Sequence, residues 1–193
     1  QINLSGNIFY VYDTDNSLTF ETVLSDDFKS KLTQSGKSHF NIKANSPDCW
    51  YIFEIENNTS LSQNLLLLIG NPFIKNLNFF STTDSLHHQT GLVFNYHQRQ
   101  IKHKNYIFEI NLLPYQKGSY CIWIGSQDIP ATLKIDLLTN KQLLKLNTFE
   151  SIIKGAFYFI ILVVLVFLIM LYLSENDKRH LYFLLLTLIL FLL

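Results

Sequence analysis

The chain has no surplus of charge and none of the short motifs that mark common enzymes. Its 193 residues include 15 basic and 15 acidic side chains, so the formal net charge is zero. No basic stripe is present that would neutralise a row of phosphates, and we expect no nucleic-acid partner. Nucleophile elbows, phosphate-binding glycine loops and His-Glu-x-x-His pairs are also missing. We therefore expect no catalytic residues, no cofactor and no metal.

Histidines offer the one alternative to that interpretation. His87, His88, His97 and His103 fall within seventeen residues, and imidazoles brought together hold zinc or sense pH. No cysteine or carboxylate stands at ligand spacing beside them. We interpret them as loop histidines in solvent.

Cysteine is scarce, with Cys49 and Cys121 alone. Both lie in or beside predicted strands, where an oxidising compartment permits a bridge if their Cα atoms come within about 7 Å. Two buried, unpaired thiols are the favoured alternative. The chain opens with Gln1 and has no basic-then-apolar leader, which indicates that a signal peptide has been removed.

Residues 1–140 have the pattern of an all-β domain, because short strand-like runs alternate with turn residues. Tyr106, Phe108, Ile110 and Leu112 share one predicted strand face and Glu109 lies on the other. Strands of this number and length favour a jelly-roll-like β-sandwich, with a hairpin or long connection at 25–44. The predicted strands are 8–12, 18–23, 50–56, 64–69, 75–81, 91–96, 106–112, 119–125 and 131–138.

After residue 140 the pattern becomes helical. Residues 141–154 predict a connecting helix, whose start Asn147 and Glu150 would cap. Residues 155–173 contain no charged side chain, and as a helix they span about 28 Å, the thickness of a hydrocarbon core. We therefore predict a transmembrane helix there.

A second apolar run follows a short polar loop at 174–180. Residues 181–193 reach only about 20 Å as a helix, so we interpret them as the truncated start of a second transmembrane helix. Lys178 and Arg179 in the loop outnumber Lys154 at the other end of the first span, which favours a cytoplasmic loop. The β domain is then periplasmic or extracellular.

The order of these parts resembles the bacterial seven-transmembrane receptors with diverse intracellular signalling modules, and the β domain is similar to the second type of extracellular domain in that family. Each motif is weak alone, and their order and spacing carry the resemblance. The matching stretches are residues 50–57, 77–80, 101–108, 113–114, 119–126, 155–158 and 177–183.

This resemblance implies an extracellular jelly roll related to carbohydrate-binding modules, seven membrane spans and a cytoplasmic signalling module in full-length relatives, in a bacterial inner membrane. Spans three to seven and the signalling module are absent from this sequence. Lys104 stands where the family tends to have arginine, so a guanidinium role does not transfer to that position.

Aromatic side chains are the candidates for a ligand platform, because a flat ring stacks on the apolar face of a sugar. Trp123 alternates with Tyr120, Ile122 and Ile124, so it points away from the core if those three point inward. The alternative is that Trp50 and Trp123 fill the sandwich. The predicted platform comprises Trp123, Tyr96 and Tyr115, with Gln127 and Asp128 as polar neighbours.

Two functions are compatible with these features. The first is the sensory part of a membrane receptor that binds a small molecule or carbohydrate and relays the signal through its helices. The second is a membrane-anchored envelope interaction protein without small-molecule sensing.

Overall fold

The computed structural model describes residues 8–37, 39–83, 87–175 and 177–192. The chain divides into two compact units, residues 1–140 and 141–193. Ten strands of the first unit form two antiparallel sheets, and the expected β-sandwich followed by a long apolar helix and a short one is confirmed. The strands are β1 (Ile8–Asp13), β2 (Thr33–Ser35), β3 (His39–Ile42), β4 (Asp48–Glu56), β5 (Gln63–Ile69), β6 (Leu77–Ser81), β7 (His87–Thr90), β8 (Tyr106–Leu112), β9 (Lys117–Ile124) and β10 (Ala131–Leu138).

One sheet has six strands in the order β2-β1-β4-β9-β6-β7, and the other has four in the order β3-β10-β5-β8. The core lies between them, because alternate residues of each strand point to one face. Phe79 of the first sheet stacks on Phe108 of the second with ring centroids 4.6 Å apart. The predicted inward face of residues 106–112 is part of this core, and so are Leu133, Ile135 and Leu137 of β10.

A second apolar cluster covers the opposite face of the six-stranded sheet. Two short helices, α1 (Phe20–Leu24) and α2 (Asp26–Lys29), lie in the segment that supplies this cover. Val23 of α1 is fully buried there, beside Trp50, Ile52 and Cys121. The Thr19 side chain accepts a hydrogen bond from the Thr22 amide and caps the start of α1.

Two predicted strands are wrong. Residues 18–23 contain the start of α1, because Phe20, Val23 and Leu24 have the i, i+3, i+4 spacing that places them on one helix face. Residues 91–96 form a turn and the start of a 3₁₀ turn at Tyr96–Gln98. Gly91, with φ of 141°, ends the strand register, and β7 precedes it.

The segment 25–44 is a connection between sheets, and its described residues, 25–37 and 39–44, form no hairpin. β2 pairs with β1 in the six-stranded sheet, whereas β3 pairs with β10 in the four-stranded sheet. The chain therefore changes sheets between them.

Both cysteines are free thiols in buried positions. Cys49 belongs to the core between the sheets, and Cys121 belongs to the cluster on the outer face. Because the two side chains point to opposite faces of one sheet, no bridge can form between them. Burial raises the pKa of each thiol to about 12.

Asn57 lies in a sequence that matches a glycosylation acceptor, yet its side chain is buried. Its amide donates to the carbonyl oxygens of Leu61 and Leu113, both at 2.8 Å. Its side-chain oxygen accepts from Thr59. Asn57 therefore holds two loops together and is not available for modification.

The second unit contains α3 (Asn140–Glu175) and α4 (Lys178–Leu192). Asn147 and Glu150 lie inside α3, so the predicted cap at that position is wrong and the helix begins seven residues earlier. Among the described residues, α3 is the one helix long and apolar enough to cross a membrane, and its apolar window is not buried. Exposed rings such as Phe157 and Phe167 are stable in lipid and unfavourable in water.

Candidate functional site: an aromatic and acidic cleft on the outer sheet face

A cleft of about 410 Å³ opens on the outer face of the six-stranded sheet. Its volume falls within the range of about 300–1,000 Å³ that is usual for small-ligand sites. The walls combine aromatic rings with carboxylates, amides and a hydroxyl. The lining residues are Asp13, Asn16, Leu18, Thr19, Phe20, Glu21, Asp48, Trp50, Asn78, Phe80 and Trp123.

Strand register builds the floor of the cleft. Trp50 of β4 lies directly opposite Trp123 of β9, and Trp123 lies opposite Asn78 of β6. Cross-strand partners on one face are about 5 Å apart. Two indoles and an amide therefore form a continuous row across three strands.

Trp123 points away from the space between the sheets, as its alternation with Tyr120, Ile122 and Ile124 predicted. It is partly exposed at the cleft, whereas Trp50 is almost fully buried in the same outer cluster. The alternative that both indoles fill the sandwich is thus wrong. Gly125 follows the end of β9, and a methyl group there would approach Trp123 to 3.0 Å.

The remaining rings of the cleft pack against one another. Phe80 stacks on Phe20 of α1 at 4.9 Å and on Trp50 at 5.6 Å between centroids. Phe80 also stacks on His87, with ring centroids 4.4 Å apart. The buried indole Nε1 of Trp50 has no hydrogen-bond partner among the residues that the structure describes. An unpaired buried donor is costly, so this N–H is a feature that an acceptor would stabilise.

The segment between β1 and α1, which lines part of the cleft, is held by a carboxylate. Asp13 ends β1, and its two oxygens accept from the backbone amides of Ser17 and Leu18, both at 3.1 Å. Asn16, inside this loop, has a positive φ of 51°. These bonds turn the chain from β1 into α1 and place Phe20 over the sheet.

Gln127 and Asp128, two of the predicted platform residues, bind Lys75 and do not line the cleft. The buried Gln127 accepts from the Lys75 amide at 3.0 Å and donates to the Gly125 carbonyl at 2.6 Å. Asp128 forms an exposed ion pair with the Lys75 ammonium at 3.0 Å. Both residues join the end of β9 to the start of β6.

Tyr96 and Tyr115, the other predicted platform residues, are also outside the cleft lining. The Arg99 guanidinium lies 4.9 Å from the Tyr96 ring and 4.4 Å from the Tyr106 ring. Tyr115 is 72% exposed in the turn before β9. The six residue steps from Lys117 to Trp123 along β9 amount to about 20 Å. The structure therefore does not bring the predicted platform together.

The prediction of loop histidines in solvent is wrong for His88, which lies on β7 with its Nε2 atom buried. His87 also lies on β7 and not in a loop, but it is exposed as predicted, and its ring stacks on Phe80. His103 Nδ1 accepts from the Asn105 amide. Within the described part of the chain, no group of three His, Cys, Asp or Glu side chains could hold a metal ion.

Sequence reasoning missed most of the cleft. The alternation of β4 contains a signal for Trp50, since it shares a face with Ile52 and opposes Tyr51 and Phe53. No comparable signal exists for Asp13, which joins the cleft because β1 happens to end opposite Asp48. Phe20 and Glu21 depend on α1, which the two-residue pattern had placed in a strand.

Comparison with known families decides what kind of domain carries this cleft. The family described as 7TMR-DISM extracellular 2 matches residues 5–139, which include both sheets. The chain belongs to this family. The 7TMR-DISM extracellular domain ends where α3 begins, and α3 contains the apolar stretch that could span a membrane. The chain is therefore a membrane-anchored protein with an extracellular domain. No curated protein matches it.

Proposed function

We propose that the cleft over Trp50 and Trp123 is the ligand site of a sensory receptor, and that the ligand is a small extracytoplasmic molecule such as a carbohydrate. The observation that carries this proposal is the cleft itself. Two indoles in register lie there beside Asn78 and the carboxylates of Asp13, Glu21 and Asp48. Sugars are bound by this combination, because rings contact their apolar faces while amides and carboxylates bond their hydroxyl groups.

The signal would leave the domain along β10. Only Thr139 separates the end of β10 at Leu138 from the start of α3 at Asn140. α3 then continues for 36 residues without a break. A helix without a flexible joint is suited to pass on a change in its first turn, and this supports a relay into the membrane spans.

The remaining parts of the proposal follow from the charge pattern and from the family. The segment 174–180, which contains the end of α3 and the start of α4, faces the cytoplasm of a bacterial inner membrane, and full-length relatives carry a cytoplasmic signalling module beyond it. The protein is not an enzyme and does not bind nucleic acid. Its partners are the membrane and the extracytoplasmic ligand.

The test is a glycan array with the purified chain in detergent, followed by calorimetry on each hit. We expect Trp123→Ala to weaken binding at least tenfold, because it removes the exposed indole of the cleft. Trp123→Phe retains a ring and packing, and should weaken binding less. Tyr115→Ala is the matched control, since it removes an exposed aromatic side chain outside the cleft lining.

Binding that Tyr115→Ala reduces as much as Trp123→Ala would refute this site. The absence of any small-molecule hit, together with an envelope protein that co-purifies with the chain, would favour the anchoring function instead.

A further inference from the structure

Two carboxylates lie directly opposite each other at one end of the cleft. Asp13 is the last residue of β1, and its partner across the antiparallel pair is Asp48, the first residue of β4. Both side chains line the cleft. Like charges in directly opposed positions repel and are normally avoided in sheets. A positive charge close to both carboxylates would therefore stabilise the pair.

The protein supplies no such charge among the described residues. Asp13 accepts from the amides of Ser17 and Leu18, and Asp48 Oδ1 accepts from the Ser126 amide at 2.8 Å. These partners are neutral. None of the described ion pairs includes either carboxylate.

The one other charged side chain of the lining is also negative. Glu21 adds a third carboxylate, and no lysine, arginine or histidine is among the lining residues. One basic side chain, His87, is in ring contact with a lining residue, because it stacks on Phe80. A cleft lined by charges of one sign concentrates ligands of the opposite sign.

The aromatic walls favour the same kind of ligand. A cation over the face of an indole is attracted by the ring quadrupole, and tryptophan is the most favourable of the aromatic residues. Trp50 and Trp123 are neighbours in register on the cleft floor. The volume of about 410 Å³ is large for a bare ion and suits a small organic molecule.

From these features we infer that the ligand carries a positive charge: a small organic molecule with an ammonium group, for example an amino sugar. The inference rests on the proposed ligand site and adds the charge of the molecule that enters it. Anionic sugars are excluded by the three carboxylates. The ammonium group lies between the Asp13–Asp48 pair and the indoles.

The experiment compares matched probes that differ in charge, with the full chain in detergent. Glucosamine is compared with glucose and glucuronate, and choline with its uncharged isostere 3,3-dimethyl-1-butanol. Binding is followed by calorimetry and by tryptophan emission. Because Trp50 and Trp123 are the only tryptophans, the emission reports the cleft directly.

We expect at least one cation to bind about tenfold more tightly than its neutral counterpart, and glucuronate to bind most weakly. Asp48→Asn keeps the oxygen that accepts from Ser126 and removes one charge. It should weaken binding of the cation about threefold more than binding of the neutral probe, as expected for one charge about 6 Å away in a water-like medium. Glu109→Gln, on the exposed face of the other sheet, is the control.

Three outcomes would overturn the inference. The first is that no cation binds more tightly than its neutral counterpart; neutral sugars that still bind through Trp123 would then leave the ligand site itself in place. The second is that Glu109→Gln weakens cation binding as much as Asp48→Asn. The third is saturable binding of Ca²⁺ alone that Asp48→Asn abolishes, which would assign the carboxylates to an inorganic ion.

Discussion

Asn57 offers the sharpest test of how the sandwich is held together. It follows β4 directly, and its side chain is 4% exposed. The amide nitrogen bonds the carbonyl oxygens of Leu61 and Leu113 at 2.8 Å, and the side-chain oxygen accepts from the Thr59 amide at 3.1 Å and from its hydroxyl at 2.7 Å. One side chain thereby joins the loop after β4 to the turn before β9.

Asn57→Ala removes these four bonds at once. A net contribution of about 1 kcal/mol per hydrogen bond would give about 4 kcal/mol. Leu61 and Leu113 are both more than 60% exposed, so water partly replaces Asn57 at their carbonyl groups. We therefore expect the free energy of unfolding to fall by about 2–3 kcal/mol, a large fraction of the stability of a domain.

The measurement is urea unfolding of the full chain in detergent, followed by tryptophan emission. Both tryptophans lie in the β domain and none in α3 or α4, so the signal is that of the sandwich alone. Asn58→Ala, at the exposed neighbour, should change the stability by less than about 0.5 kcal/mol. If both variants unfold at the same urea concentration as the unmodified chain, the assigned role of Asn57 is wrong.

Two further predictions concern the thiols and a glycine. With a pKa of about 12 for Cys49 and Cys121, about one thiol in ten thousand is ionised at pH 8, so a thiol reagent should label the unfolded chain but not the native one. In the unfolded chain the thiols ionise near pH 9, whereas the buried thiols of the native chain stay protonated. The free energy of unfolding should therefore fall between pH 9 and 12. Equal midpoints of urea unfolding at pH 8 and 10.5 would contradict this. Gly91→Ala should cost about 3 kcal/mol or more in the same urea assay, because φ is 141° and the new Cβ would lie 2.2 Å from the Lys75 carbonyl oxygen. Gly36→Ala, with open space around its Cα, is the control, and equal effects of the two would refute the reasoning.

Strand alternation made the core predictable. Residues 106–112 and 131–138 form β8 and β10 with those bounds, since each alternates apolar and polar side chains and ends at a turn. The same reasoning failed at 91–96, where an apolar run is exposed: Leu92 and Val93 are both more than half accessible. An apolar run specifies a strand only when a neighbouring strand pairs with it, and periodicity alone does not identify that neighbour.

Of the residues that line the cleft, Trp123 is the one that the sequence analysis predicted as a site residue. Its outward direction follows from the two-residue period of β9, which is a local property. Asp13 and Asp48 are 35 positions apart in the chain, and their proximity follows from the register of β1 on β4. Register over such distances depends on the whole sheet, so the acidic end of the site is visible only in three dimensions.

The unbroken course of α3 has a geometric consequence for any receptor built on it. Each residue of an α-helix adds a rotation of about 100° about the helix axis. One residue inserted between Asn140 and Lys154 would therefore rotate the part of the chain before the insertion by more than a quarter of a turn relative to the part after it. Seven inserted residues would nearly restore the original orientation. The number of residues in this stretch therefore sets the rotation of one end of the stretch relative to the other. The effect of an insertion on signalling should vary periodically with the number of inserted residues and not in proportion to it.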